Sequence, residues 1–561
     1  MKRSSLVALI LLPAALSAQT QSHPLKYSAK PTVAAITPAD LMSRLYGFAD
    51  DSMMGRKAGT VYHDKGVDYI ARELTRLGLK PGGENGTYFQ HIPLMLHNLV
   101  PAATFTVDGR SFVSGTDFLA RDAADFEATA RELQGATAVY GGMFPDTANM
   151  IKPDQATGKV VVFTVPRGWQ ANRSGLVGRY LMAAGVVVAT LDSMPGDVRD
   201  GLSQPSIYLN KGPYLLQVPA FFYSTRAMAE AMLGGPLSAA VVGAAGKTVT
   251  GSLKYTDARA PGSRNVIAIL PGSDRKLAGQ YVALGAHSDH VDPSLGQGDF
   301  SLPIDHDSLW AFYHVVRPNG ADDGAKPPTP ADWPRVTAKI DSLRKLRAPR
   351  PDSIFNGADD DGSGSMGLLE VAEAFATGTD KPKRSLLFIW HVGEEEGLWG
   401  SGHFTDYPTV PRDSITSQIN IDMIGRGGAQ DLQGGGPGYV QLIGSRRLST
   451  ELGDLVEAEG TKFTNPPFKF DYQFDANGHP QQFYCRSDHY NYARYGIPVV
   501  FMSTGGHPEY HQVTDEPQYI DYDQLARVSQ LVFNTARAIG NREQRLVVDK
   551  PKPDPKGQCR Q

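Results

Sequence analysis

Cysteine is almost missing from this chain: among 561 residues there are two, Cys485 and Cys559. That is too few for a disulfide framework, so the fold must rest on apolar burial. Whether the two pair stays open, because Cys559 sits in the Pro/Lys-rich stretch KPKPDPKGQCR, which reads as disordered. Long basic stretches are also lacking, and the formal net charge is −4, which argues against nucleic acid as the main partner. No segment is long and apolar enough for a membrane helix. The nearest is Leu6–Leu16, preceded by Lys2 and Arg3 and followed by Ser17 and Ala18. That order reads as a secretory signal cleaved near Ala18, so the mature protein is expected to be exported, periplasmic or secreted. No cysteine near that cleavage site offers a lipid anchor. Tandem repeats, H-E-x-x-H and G-x-S-x-G are absent as well.

What remains is ordinary globular composition, 41% hydrophobic and 20% charged, in a chain long enough for two or more domains. Residues 19–36 read as an extended leader, and Pro38–Leu79 as helical, with an apolar rhythm in YIARELTRLGL. From about Gly115 to Gly251 the texture changes to short strands with glycine-rich joints, such as GKVVVFTVP and GVVVATL. Regular core strands resume at SRNVIAILPG and QYVALGAHSDH. We therefore expect a β-rich insert at 115–251, with residues 19–114 and 252–545 forming one larger α/β domain. A second insertion at 291–355 carries a basic helix, RVTAKIDSLRKLRA, expected as a solvated face. Residues 546–561 form the tail. Strands alternating with helices predict a mostly parallel central sheet flanked by helices.

The chemistry concentrates just beyond apolar runs. YVALGA leads into His287, Ser288 and Asp289; SLLFIW leads into Glu394, Glu395 and Glu396. SQINI leads into Asp422, and GIPVVFMST into a loop carrying His507 and His511. NGADDDGSG sets Asp359, Asp360 and Asp361 before a helix. Singly, each reads as a structural histidine or a helix cap. Together they lie where ligands gather in open α/β sheets, past the carboxyl ends of the strands. Crowded, desolvated carboxylates repel, so a strongly positive centre is implied. Two Zn²⁺ ions would balance Asp360, Glu395, Asp422 and one hydroxide, whereas a single ion would leave surplus negative charge. Mn²⁺ or Co²⁺ would also suit this oxygen-rich set.

Three apparent motifs do not survive inspection. GSGSMG (362–367) fits a dinucleotide pattern, but Asp359–Asp361 precede it and would repel a pyrophosphate. GAAGKT (243–248) is two residues short of a P-loop. NGADDG (319–324) mimics the acidic motif without the helix behind it.

The pieces GAHSDH (285–290), GADDDGSG (357–364), EEEGLWGS (394–401), NIDMIG (420–425), SDHYNYARYGIP (487–498) and YHQVTDE (510–516) resemble, in order, the M28 zinc exopeptidases. The resemblance implies a zinc-exopeptidase-like α/β fold with two Zn²⁺ per chain. Asp360 would bridge them, His287 and Asp422 completing one site, Glu395 and His511 the other. It further implies Glu394 as general base on a zinc-bridging water, Asp289 as the partner orienting His287, and a cis peptide after Asp360. Tyr484 resembles the tyrosine that steadies the oxyanion in some members. His507 is the minor alternative to His511. The 115–251 insert resembles a protease-associated domain.

The reading is an aminopeptidase acting on peptides. The alternative is a carboxypeptidase or dipeptidase for acidic residues, with Arg426 or Arg486 holding a carboxylate. A non-catalytic, receptor-like binding protein and a glutaminyl cyclase are disfavoured by the complete ligand set. Trp310, Phe312 and Tyr313 are candidates for the pocket wall. Side-chain preference and oligomeric state are left open.

Overall fold

The longest apolar runs lie at the centre of the structure. The computed structural model describes residues 23–100, 104–123, 128–166, 173–291, 303–317, 328–379 and 381–561. The expected signal segment, the NGADDG stretch and parts of the 291–355 insertion lie outside these residues. Six strands build the central sheet: β1 (Arg264–Leu270), β2 (Tyr281–His287), β3 (Ser385–His391), β4 (Ile415–Ile421), β5 (Tyr439–Ile443) and β6 (Val499–Ser503). Their order is β1–β3–β2–β4–β6–β5, with short strands flanking β1 and β5. β2, β3, β4 and β6 are mutually parallel. β1 and β5 run antiparallel to their neighbours. The α/β class holds, with the four central strands parallel and a further parallel pair at the edge, β5 with Lys469–Asp471.

Burial on both faces explains why β3 is apolar throughout. Leu386, Phe388 and Trp390 enter one core, and Leu387 and Ile389 the other. A strand of this kind needs cover on both sides. The elements that supply it or hold the site are α1 (Pro38–Phe48), α2 (Val61–Arg76), α3 (His306–Val316), α4 (Asp332–Arg344), α5 (Gly364–Thr377) and α6 (Tyr522–Asn541). In α6, Leu525, Val528, Val532, Ala536 and Ile539 recur at helical spacing and are buried. The Asp521 side chain caps it by accepting from the Gln524 N–H. α1 starts with Pro38 after Thr37, whose side chain accepts from the Asp40 N–H.

The β-rich insert is an eight-stranded sheet built from residues between Thr104 and Gly251. It starts before the expected Gly115 because the hairpin Thr104–Val107/Arg110–Val113 pairs onto Ala245–Gly251. Leu94–Leu99, flanked by Ser206–Leu209 and Tyr255–Arg259, forms a three-stranded neck to the main body.

Two further expectations are corrected. The tail is ordered rather than disordered: Cys559 is disulfide-bonded to Cys485, and the Gln561 side chain accepts from the Tyr484 N–H and donates to the Phe474 carbonyl. The basic helix is not simply solvated, since Arg344 at its end and Arg347 beyond it turn onto buried Asp307.

One buried ion cluster ties α1 to α5. Arg44 donates to Glu370 through Nε (2.8 Å) and to Glu73 through Nη1 (3.1 Å), and pairs with Glu373 through Nη2. Arg44 is 1% exposed, Glu370 1% and Glu373 3%. Arg44→Ala would strand buried Glu370 and leave Glu373 with only half-exposed Arg76 as a cation, so we expect a loss of about 3–5 kcal/mol in urea unfolding. Replacing Arg44, Glu370 and Glu373 together by Met and Leu should recover most of it.

Candidate metal centre

Four parallel strands point their carboxyl ends at one edge, and each delivers its ligand there. β2 ends at His287, β3 leads through Gly393 to Glu394 and Glu395, β4 runs into Asp422, and the loop after β6 brings His511. Asp360 arrives from the turn before α5, and the Asp360–Asp361 peptide is cis. That turn depends on Gly357, whose φ is +55°; a Cβ there would lie 2.4 Å from the Asp360 carbonyl oxygen and 2.5 Å from the His290 ring. Buried Arg56 holds it, donating to the Asn356 and Gly357 carbonyls at 2.7 and 2.9 Å.

Asp360 stands between two histidines. Its Oδ1 is 3.1 Å from His287 Nε2, and its Oδ2 is 2.9 Å from His511 Nε2. Asp422 Oδ1 is 3.6 Å from His287 Nε2, and Glu395 Oε2 is 3.2 Å from His511 Nε2. The five predicted ligands therefore converge, with Asp360 central. His507 takes no part: it accompanies Glu509 (3.2 Å) and Asp359 (3.4 Å) in a separate buried group.

Electrostatics describe a site with surplus acid. Burial raises the Glu394 carboxyl well above its usual range, and Asp422, Glu395 and Asp488 add to this against the pull of His287. Asp422 is raised as well, again first by burial. Burial opposes the charge on His511, but Glu395 and Asp360 outweigh it and push the imidazole up to about 10. His511 Nε2 faces Asp360 Oδ2 and Glu395 Oε2. Two imidazoles and three carboxylates, converging with one aspartate central, suit divalent cations. The donor set fits zinc.

Neighbouring groups separate ligands from supports. The ligand atoms of His287, Asp361 and Asp422, and those of His290, Asp360 and Glu395, each lie within 4.8 Å of one another. Asp361, however, is committed to the backbone, accepting from the N–H groups of His287 (3.1 Å), Gly364 (2.8 Å) and Met423 (3.2 Å). His290 Nδ1 hydrogen-bonds Glu395 Oε1 at 3.0 Å and so orients that carboxylate. Sequence reasoning left His290 unassigned although it closes the GAHSDH motif. Ser487 was also missed; it donates to Asp422 Oδ2 at 2.9 Å.

Asp289 does support His287, though through its backbone, and Tyr484 needs correction. The Asp289 backbone carbonyl, not its carboxylate, hydrogen-bonds His287 Nδ1 (3.2 Å). Its carboxylate instead accepts from the Gly393 and Glu394 N–H groups at 2.8 and 3.3 Å, fixing the glutamate turn, and burial raises it to about 7. Tyr484 is buried in the apolar core with Arg447 over its ring, away from the ligands. The tyrosine at the site is Tyr510, stacked on His511 with ring centres 3.8 Å apart. Burial, then Asp360 and Glu395, raise its hydroxyl well above the usual range.

The pocket-wall aromatics pack locally. Tyr313 sits in a small core with Leu309 and Val513, and Phe312 lies against Tyr313 and Trp333. Trp310 lines a cavity of about 330 Å³ that contains none of the five ligands.

Comparison with known proteins follows this geometry. The model of "Peptidase family M28" matches residues 326–536. Leucine aminopeptidase 1 of Paracoccidioides brasiliensis is 27% identical over 186 residues, 32% of this chain and 45% of that protein. Leupeptin-inactivating enzyme 1 of Streptomyces exfoliatus is 29% identical over 178 residues, 31% of this chain and 35% of that protein. The chain thus spans less than half the length of these relatives. A zinc aminopeptidase of Bacillus subtilis shares the fold with a TM-score of 0.50 at 16% identity, covering 92% of this chain and 98% of its own. The matched family region begins after His287, which β2 brings to the same edge as Asp360, Glu395, Asp422 and His511. Motif order and site geometry agree with this match, and residues 326–536 are similar to peptidase family M28.

Proposed function

We propose that the chain is a di-zinc exopeptidase removing residues from the amino ends of peptides. One observation carries the reading: the Asp360 carboxylate offers one oxygen toward His287 and the other toward His511. His287, Asp360 and Asp422 would hold one ion, and Asp360, Glu395 and His511 the other. When bound, the ions would polarise the scissile carbonyl and acidify a shared water. Glu394, adjacent to ligand Glu395, takes the proton from the attacking water and hands it to the leaving amine nitrogen. The Tyr510 hydroxyl donates to the oxygen that gains charge. Ser487 and His290 keep the Asp422 and Glu395 carboxylates aimed.

The amino end is favoured because an acid-rich rim attracts a substrate ammonium, and because relatives bear the name leucine aminopeptidase. Arg426, one candidate for holding a substrate carboxylate, is buried and committed to Asp431 (2.7 Å) and Glu509 (2.9 Å). Arg486 remains exposed and is the residue on which the carboxypeptidase alternative would depend.

Glu394→Gln should retain the metals and lose about 10²–10⁴-fold in kcat; unchanged turnover removes it as the base. Asp360→Ala should emerge free of both ions by elemental analysis, and full loading would contradict the bridging role. Tyr510→Phe should lower kcat about 10²-fold, while Tyr484→Phe leaves it within about twofold. The reverse ranking would restore Tyr484. Acetylating a peptide's amino end should abolish cleavage and amidating its carboxyl end should not; the opposite pattern selects the carboxypeptidase reading.

A further inference from the structure

The 291–355 insertion is fastened to one short segment of the chain, the one that carries His511. His314 on α3 pairs through Nε2 with Glu509. Arg317, just past the end of α3, reaches the Tyr510 carbonyl at 3.4 Å. Leu309, Tyr313 and Val316 enclose Val513 in a small core. Beyond it, Glu516 is gripped twice, by His306 Nε2 at 2.8 Å and by Arg350 at 2.5 Å. The start of α3 is joined to the stretch before the exit of the insertion, since the His306 N–H donates to the Arg350 carbonyl at 2.9 Å. Asp307 anchors Arg344 and Arg347 behind that joint.

The acidic partner of each grip is well buried. Glu509 and Asp307 are 1% exposed, His306 1%, and Glu516 6%. Between the anchored ends, His511 adopts φ +57°, a left-handed conformation that a non-glycine residue rarely holds unaided. The same stretch braces the acidic turn: the Asp515 carboxylate accepts from the N–H groups of Asp359 (3.0 Å) and Asp360 (3.2 Å). By contrast, the His287 and Asp422 supports come from Asp289, Ser487 and Asp361, none of which belongs to the insertion.

We propose that the insertion is a positioning clamp for His511, and that it sets the affinity of the Glu395/His511 metal position separately from the His287/Asp422 position. His306, His314 and Arg350 act through Glu516 and Glu509, not on substrate. Ligand-supporting residues of this kind change metal affinity by about 10–100-fold when removed. This rests on the ligand roles proposed above. A wild-type protein that binds no metal would defeat that reading, whereas the clamp is judged by differences among metal-binding variants.

The test is chelator competition with Zn²⁺ on the whole chain, resolving two affinity classes. In His306→Ala/Arg350→Ala, one class should weaken about 10–100-fold and the other stay within about twofold. Peptidase activity should fall at limiting Zn²⁺ and return at saturating Zn²⁺. Arg350→Lys, which keeps a cation near Glu516, should restore most of the lost affinity. Should the double variant not fold, as judged by circular dichroism, His314→Gln carries the same test through Glu509. Both classes weakening together, or neither changing, would overturn the clamp. So would a loss of activity that saturating Zn²⁺ does not restore.

Discussion

Charge compensation at the carboxyl edge of the sheet is the constraint on which the rest of the structure depends. Glu394, Glu395, Asp360 and Asp422 repel one another at this edge, and burial raises the cost of every added negative charge. Without a cation, His287 and His511 offset part of this as imidazoliums, which holds Asp360 well below the usual carboxylate range despite its burial. Two histidines do not neutralise four carboxylates. The donor chemistry asks for divalent cations, and the local fold makes sense as the scaffold that holds the donors together against their mutual repulsion.

That scaffold works mainly through carboxylates aimed at backbone N–H groups. Asp361 gathers three, Asp289 two, and Asp359 accepts from Gly425 while Asp515 accepts from Asp359 and Asp360. Loops that meet at a strand edge have few apolar contacts of their own, so such bonds replace hydrophobic packing as the source of rigidity. The acid content of the region therefore has two separate uses. Some carboxylates face the metal position, and others staple the loops that present them.

This division explains what could be read from the sequence. The strands were legible because long apolar runs have one physical use, and four of the five candidate ligands because they lie beyond such runs, Asp360 instead preceding a helix. Distinguishing ligand from staple was harder: Asp289 and Asp361 have the same side chain as Asp360, and only the direction of nearby N–H groups separates them. Tyr484 was chosen by its distance along the chain from Asp488, yet the turn there buries it against Arg447, while Tyr510 gains its place by adjacency to His511. The tail read as disordered because composition registers its prolines and lysines, but not the Cys485 sulfur waiting opposite Cys559. The insert's early start at Thr104 was hidden because its hairpin pairs with a strand some 140 residues later, as in Thr106 opposite Thr250.

Three additions to the sheet each end against a different ligand loop. Arg44 and Arg56, from the N-terminal portion, hold α5 and the turn before Asp360. The neck of the β-rich insert packs Leu94, Leu96 and Ile207 with Val392 and Trp399, the apolar residues on either side of Glu394 and Glu395. The second insertion closes on Glu509 and Glu516 around His511. Ordering a loop costs about 1–2 kcal/mol per residue in conformational entropy. Placing an accessory element against each one fixes the ligands before any ion arrives, so that less of the binding energy is spent on ordering them.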